Sequence, residues 1–331
     1  MHFLVTGGAG YVGSHTVRAL LQQGHTAVIL DDFSTGHRWA TQGQKVLEVD
    51  LRDLSALRNA LAGQQVDGIF HFAAKSLVGE SAKDPLGYYQ TNVGGTANLL
   101  TVARENHWNR CVFSSTAAVY GNPLTEIIDE SHSKTPINVY GETKLVMEQL
   151  LERLSEAEPF GAICLRYFNA AGAASDGSLG EAHDPETHLI PNALKAATGN
   201  GAPLTIFGDD YPTPDGSCIR DYIHVADLAD AHLKAMAKLQ ATSLDAVGYF
   251  DAFNLGNGIG FSVKEVFAAC ETVTGRVIPH QIGPRREGDP PRLVADATRA
   301  RGVLDWTPEK SSIEAIVSHA WAWEQKHTTG I

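Results

Sequence analysis

Cysteine is scarce in this 331-residue chain. Cys111, Cys164, Cys218 and Cys270 are widely scattered and form no C-x-x-C pair. That excludes a disulfide-stapled scaffold, and with Cys111 and Cys164 inside apolar runs it points to a reducing compartment. Basic charge is also short: 26 Lys and Arg stand against 38 Asp and Glu, a formal net charge of −12. The global field therefore disfavours nucleic acid and anionic membranes, and an anionic small molecule would need a local basic pocket. No apolar run approaches the ~20 residues that cross a bilayer, and no basic segment leads into a hydrophobic one at the N-terminus, so a cytoplasmic protein is expected. Repeats and low-complexity tracts are lacking too. What is present, 43% apolar and 19% charged residues with 32 glycines, describes an enzyme-like globular chain with room for one large domain or two lobes.

Short apolar runs alternate with helical spacing through the first half. Strands are expected at 3–5, 27–30, 45–49, 68–72, 110–115 and 162–168, and helices at 16–23, 54–61, 88–105 and 140–154. Alternation of this kind predicts an α/β fold with a doubly wound, Rossmann-like parallel sheet whose ligands bind at the carboxyl ends of the strands. After Asn169 the stretch AAGAASDGSLGEAHDPETH has no clear period and marks the crossing into a second, smaller mixed α/β lobe. Helices near 189–198, 225–239, 263–274 and 312–323 and a strand near 204–207 follow. The expected division is 1–169 and 170–331, with the boundary open and a return crossing allowed.

The first strand runs into TGGAGYVG. Gly7, Gly10 and Gly13 suit a tight turn, the close approach of a diphosphate, and the packing of a helix on a strand, in that order. The helix that starts near Tyr11 points unpaired N–H groups at the loop, which makes an anion site from backbone. Asp31 follows at the end of the second strand, where an acid binds ribose hydroxyls; it or Asp32 would repel a 2′-phosphate, favouring NAD over NADP. His37 and Arg38 read as solvated loop residues. Further on, Tyr140 and Lys144 lie four apart on one helix face. A phenol near pKa 10 becomes a useful base only when positive charge favours its phenolate, so the pair makes chemical sense beside a cofactor. Ser114, Ser115 and Thr116, at a carboxyl strand end, offer hydroxyls to a reacting alcohol.

The glycine loop resembles that of the extended short-chain dehydrogenase/reductase superfamily. VTGGAGYVGSH, HFAAKSLVGES, NVGGT, FSSTAAVYG, YGETK, LRYFNAAGA, IFGDDYPTPDGSCIRDYIHVADLADAH, FNLGNGIGFS and GPRREGDPPRLVADATRA together resemble its UDP-glucose 4-epimerase family, over nearly the whole chain. The resemblance implies interconversion of UDP-galactose and UDP-glucose through a 4-keto sugar, with NAD held as a resident prosthetic group. It selects Tyr140 as base, Lys144 as its charge partner and ribose ligand, and Thr116 as the catalytic hydroxyl. It places Tyr11, Val12, Asp50, Leu51, Phe72, Ala73, Asn92, Ser114 and Tyr167 around NAD with the residues above. Asn169, His188, Leu189, Phe207, Arg220, Arg286, Asp289 and Leu293 fall around the UDP-sugar, Arg220 and Arg286 being cations for the diphosphate. Homodimerisation through helices 88–105 and 140–154 is implied as well, and no metal ligand is assigned. The family often carries a Lys near the substrate diphosphate where this chain has Ser76, with Lys75 one residue earlier, so neither receives a role. Leu293 matches a wall position where a bulky Tyr excludes N-acetylated sugars and a small residue admits them; leucine is intermediate and leaves UDP-GlcNAc and UDP-GalNAc open. A nucleotide-sugar 4,6-dehydratase would share the loop and the Tyr–Lys pair but needs an acid and a base after the strand-end Thr, where Ala117 and Ala118 stand. A catalytically silent NAD-binding sensor is the reading from a different class.

Overall fold

A computed structural model describes residues 1–199, 203–244, 247–286 and 289–328. Its strands in chain order are β1 (His2–Thr6), β2 (Thr26–Leu30), β3 (Val46–Leu47), β4 (Gly68–His71), β5 (Arg110–Thr116), β6 (Ile127–Ile128), β7 (Gly161–Tyr167), β8 (Asn169–Ala171), β9 (Leu204–Phe207), β10 (Ile219–Arg220), β11 (Tyr222–His224), β12 (Tyr249–Leu255), β13 (Phe261–Ser262), β14 (His280–Gly283) and β15 (Arg292–Ala295). Seven of them form one parallel sheet in the order β12-β7-β5-β4-β1-β2-β3. Its strands are apolar on both faces because helices cover both. Phe3 and Val5 join one core with Val17, Leu20 and Leu228, while Leu4 and Val28 join the other with Leu57, Leu99 and Met147. The chain leaves β1 outward through β2 and β3, then returns to β4 on the other side of β1. The β1/β4 junction is therefore the switch point at which a crevice opens.

Two elements from 170–331 belong to this first layer. The helix Val225–Gln240 packs on the helix Tyr11–Gln22, and β12 pairs with β7 from Tyr249↔Gly161 to Leu255↔Tyr167. No strand is expected at 249–255 from the sequence because Asp251 and Asn254 interrupt its apolar run; Asp251 pairs with Arg299 (2.8 Å) and Asn254 is buried in a polar network described below. The helix expected over 88–105 is broken into Pro85–Tyr88, a wide π turn Tyr89–Gly94, and Gly95–Glu105. The strand expected at 45–49 shortens to β3. The remaining strands make a four-stranded sheet, β13-β10-β15-β6, and two pairs, β11-β8 and β14-β9. A third core lies under the helices Leu189–Ala197, Val263–Thr274 and Ile313–Thr328. Residues 200–202, 245–246, 287–288 and 329–331 of the expected second lobe, among them Glu287 and Gly288 of the GPRREGD motif, lie outside the described residues.

Candidate active site

A cleft of about 810 Å³ opens at the β1/β4 junction. Gly7 turns the chain out of β1 at φ +70°, and a Cβ there would lie 2.6 Å from Ala73 N, so the loop sits directly on the end of β4. A Cβ on Gly13 would lie 2.1 Å from Gly7 O, which lets the helix close on the turn. At Gly10 a side chain would meet only Gly7 O, at 3.3 Å, and would otherwise take up room in the cleft. Gly10 is also the N-cap of the helix Tyr11–Gln22; no side chain caps that helix and no acid stands in its first turn. Its N–H groups are left for an anion, which fits a dinucleotide diphosphate.

Asp31 is buried at the cleft, its Oδ2 accepting from Ala9 N (2.9 Å) and its Oδ1 from Phe33 N (2.9 Å). Burial pushes its carboxyl up while these amides and His37 pull it back. Asp32 lines the cleft too, its Oδ1 accepting from Ser34 N and Ser34 Oγ of its own loop. Asp50 and Leu51 line the cleft, but both oxygens of Asp50 are taken by Arg52, at 2.6–3.0 Å. Tyr11, Val12, Phe72, Ala73, Ser114 and Tyr167 line it as well, Ser114 Oγ and Tyr167 OH being 2.7 Å apart. Asn92 does not. It is fully buried in the π turn, where its side chain holds both Lys75 N (2.8 Å) and Lys75 O (3.1 Å) and donates to Thr143 Oγ1 (2.9 Å), fixing the backbone of the loop after β4. Lys75 is itself engaged, with Glu80 at 3.0 Å and Asp84 at 3.3 Å.

The reacting group is set by the local sequence N-V-Y-G. Asn138 caps the helix Val139–Ala157 by accepting from Gly141 N (2.8 Å). A Cβ on Gly141 would lie 2.6 Å from Ala118 O, so only glycine lets this helix end close on the turn after β5. Tyr140 is thereby brought to the wall of the cleft that Thr116 also lines. Burial first, then Tyr167, push the Tyr140 phenol up, and Thr116 pulls it down. Lys144, one turn on, is buried and donates to Ser114 O (2.8 Å); burial pushes its ammonium down to about 7, against Glu148 and Cys164. Beneath it lies a polar network the sequence did not announce. Glu148 accepts from Arg166 Nε (2.9 Å), Arg166 Nη2 (2.6 Å) and Ser115 Oγ (2.5 Å), and Arg166 Nη1 donates to Tyr120 OH (3.0 Å), which donates to Asn254 Oδ1 (2.6 Å). It joins the Tyr–Lys helix to β5, β7 and β12.

Asn169, at the division between the two parts, and His188, Arg286, Asp289 and Leu293 beyond it reach the cleft wall. Leu189, Phe207 and Arg220 stand one layer behind. Arg286 lies over the Phe207 ring at 4.0 Å, and Arg220 is paired with Asp289. Arg286 takes part in none of the ion pairs among the described residues, which leaves its charge for the cleft, whereas that of Arg220 is shared with Asp289. His37, read from sequence as solvated, donates to Ala182 O (2.6 Å) and stacks on Trp39 (centroids 5.0 Å); Arg38 pairs with Glu48 on the surface. Long-range contacts of this sort leave no local signature. The N-cap at Asn138, by contrast, has a local signature, an Asn directly before the helix.

The NAD dependent epimerase/dehydratase family matches residues 3–256. A UDP-glucose 4-epimerase of Halalkalibacterium halodurans is 49% identical over 330 residues, 100% of this chain and 97% of its own. A crystal structure of a UDP-glucose 4-epimerase superposes with a TM-score of 0.95 at 46% identity, covering 100% of this chain and 99% of that one. That of the Bifidobacterium longum UDP-glucose 4-epimerase in complex with NAD+ and UDP superposes at 0.92 with 36% identity over 100% of both chains. The chain belongs to the NAD dependent epimerase/dehydratase family and groups with its UDP-glucose 4-epimerases.

Proposed function

We propose that this protein is a UDP-hexose 4-epimerase that interconverts UDP-galactose and UDP-glucose with a resident NAD. The observation that carries the reading is the Thr116–Tyr140–Lys144 set on the wall of a cleft whose floor is the Gly7–Gly13 loop, in a chain that matches epimerases end to end. Gly7, Gly10, Gly13 and the first turn at Tyr11–Val12 would hold the dinucleotide diphosphate, Asp31 its ribose, and Lys144 and Tyr167 the nicotinamide half. Bound NAD supplies a positive ring and a two-electron acceptor and donor at the sugar C4. Tyr140 would take the proton from the 4-hydroxyl and give it back to the same oxygen once C4 has been reduced on its other face, Thr116 donating to the phenolate. Arg286, backed by Phe207, would meet the UDP diphosphate; Asn169, His188 and Asp289 would flank the nucleotide, with Leu189 and Arg220 supporting them. A firm grip on UDP and a loose one on the sugar let the 4-keto sugar present either face, so binding energy far from C4 does the positioning.

The catalytic test is a substrate panel without added NAD. UDP-galactose should give UDP-glucose and the reverse; a stable 4-keto-6-deoxy product would assign a dehydratase, and no turnover with NAD retained would assign a sensor. Ala117 and Ala118, both carrying no acid or base, speak against the dehydratase. Leu293 packs beside Val119 and Ile128 and is shorter than tyrosine, so UDP-GlcNAc should also turn over, and Leu293→Tyr should abolish that activity while sparing UDP-galactose. Loss of both activities together would refute the wall role. A homodimer through the helices Gly95–Glu105 and Val139–Ala157 and a cytoplasmic location complete the proposal. Sedimentation as a monomer at micromolar concentration, or recovery in a membrane fraction, would remove them. Among the described residues no helix is long and apolar enough to cross a membrane.

A further inference from the structure

The stretch EAHDPETH, at the crossing between the two halves, places Glu181, His183, Glu186 and His188 so that one ligating atom of each lies within 4.8 Å of all the others. His183 Nδ1 is 3.0 Å from Glu181 Oε1 and 3.8 Å from Glu186 Oε2, and His188 Nδ1 is 3.5 Å from Glu186 Oε1; His188 Nδ1 also pairs with Glu181 Oε1. Four nitrogen and oxygen ligands at about 2.1 Å around a tetrahedral ion stand about 3.4 Å from one another, in the middle of these separations. A second observation points the same way. The Glu186 side chain is only 4% exposed, yet its Oε2 has no hydrogen-bond partner, while Oε1 accepts from Thr187 N and His188 N; His183 Nδ1 likewise lacks one. A buried carboxylate oxygen and an imidazole nitrogen facing each other without a bond between them are costly unless something binds both. Two protonated imidazoles would balance the charge of the carboxylates and pair His183 Nδ1 with Glu181 Oε1 at 3.0 Å, but would leave Glu186 Oε2 3.8 Å from His183, beyond hydrogen-bond reach.

We propose that Glu181, His183, Glu186 and His188 bind a divalent transition-metal ion of the zinc type. Imidazole with carboxylate suits zinc and its first-row neighbours rather than the all-oxygen shells of magnesium or calcium, and four protein ligands make a closed, structural site. Its place gives it work. Tyr11, in the first turn after the glycine loop, has its ring edge-on to His183 at 6.3 Å and donates to Gly172 O (2.5 Å). Glu181 O accepts from Trp323 Nε1 (2.9 Å), and Ala182 O from His37. The ion thus clamps the segment 181–188 to the glycine loop on one side and to the C-terminal helix Ile313–Thr328 on the other, and it holds His188 at the cleft wall.

The test is the metal content of protein purified without a histidine tag from zinc-supplemented medium. About one equivalent of zinc per chain is expected in the parent, falling to background in His183→Ala and in Glu186→Gln. Cobalt(II) exchanged into the parent should give a visible ligand-field band that both variants lack. Metal-free parent protein that also fails to compete with a chromophoric zinc chelator would overturn the site, leaving the four side chains as an ion-pair cluster. Metal content unchanged in the variants would overturn it too, by putting the ion elsewhere. If either variant fails to fold, X-ray absorption at the zinc edge of the parent decides: a four-coordinate shell containing two imidazoles supports the assignment, and a shell with sulfur or with six oxygens contradicts it.

Discussion

At Tyr140 the protein's own groups oppose ionisation, except for Thr116. Two outcomes follow at the scale of the residue. Tyr140→Phe should cost about 10² or more in kcat, the usual worth of a positioned base, while UDP still binds; a loss of only a few fold would refute the base assignment. Thr116→Val removes the donor that favours the phenolate, so the tyrosine pKa rises and the ascending limb of the kcat–pH profile should move to higher pH, with Thr116→Ser restoring it. An unmoved limb would leave Thr116 a packing role. The spacing of Tyr140 and Lys144 was legible in sequence because helix geometry puts them on one face without help from the rest of the chain, whereas Thr116 was singled out among three strand-end hydroxyls only by the family resemblance. The environment of Lys144 was not. Its burial and the pull of Glu148 depend on β5 and β7 closing over it, and a four-residue spacing carries no burial.

At the scale of the element, the helix Val139–Ala157 is pinned at both ends of the site. Asn138 and Gly141 fix its start, and one turn past Lys144 the Glu148–Arg166 pair, 2.6 Å apart with side chains 3% and 2% exposed, fixes it to β7. Removing one partner of such a pair leaves an uncompensated buried charge. Glu148→Gln should therefore destabilise the protein by about 3–5 kcal/mol in urea unfolding, and a change below about 1 kcal/mol would show that Arg166 finds another partner. Most strands of the parallel sheet could be read from their apolar runs; β12 could not, because Asn254 and Asp251 spend their polarity on partners far along the chain. Asn254 Nδ2 donates to Ile128 O (2.9 Å) and its N–H to Glu130 (2.8 Å), so the strand that completes the first sheet is also tied to the four-stranded one.

For the whole molecule, four histidines are buried in forms that burial keeps neutral: His15, His71 and His224 are pushed down to about 3 and His232 to about 4. Their folded pKa values lie below the unfolded 6.5, so the stability they contribute is present above pH 6.5 and is lost as pH falls toward 3–4. Each adds up to about 1.4 kcal/mol per pH unit to that loss. Asp221, raised by burial to about 6, works the other way, as do the smaller upward shifts of Asp31, Glu130, Asp230 and Glu324. The melting temperature should fall steadily from pH 6.5 to 4.5, and a flat profile would contradict the neutral assignments. At this scale the sequence conveyed the doubly wound sheet and the cleft at its switch point. It did not convey how the helix Val225–Gln240 and β12 return to the first layer, since no local pattern records which sheet a strand will join.

The central claim is that the hydrogen at the sugar C4 leaves and comes back within one closed cleft, beside Tyr140. Incubating the protein, with no added NAD, with UDP-galactose in D2O and following the sugar by NMR tests it directly. UDP-glucose should accumulate to the same ratio that is reached from the other side, with protium retained at C4. Deuterium at C4 or C5, or interconversion that begins only when external NAD is supplied, would contradict the account.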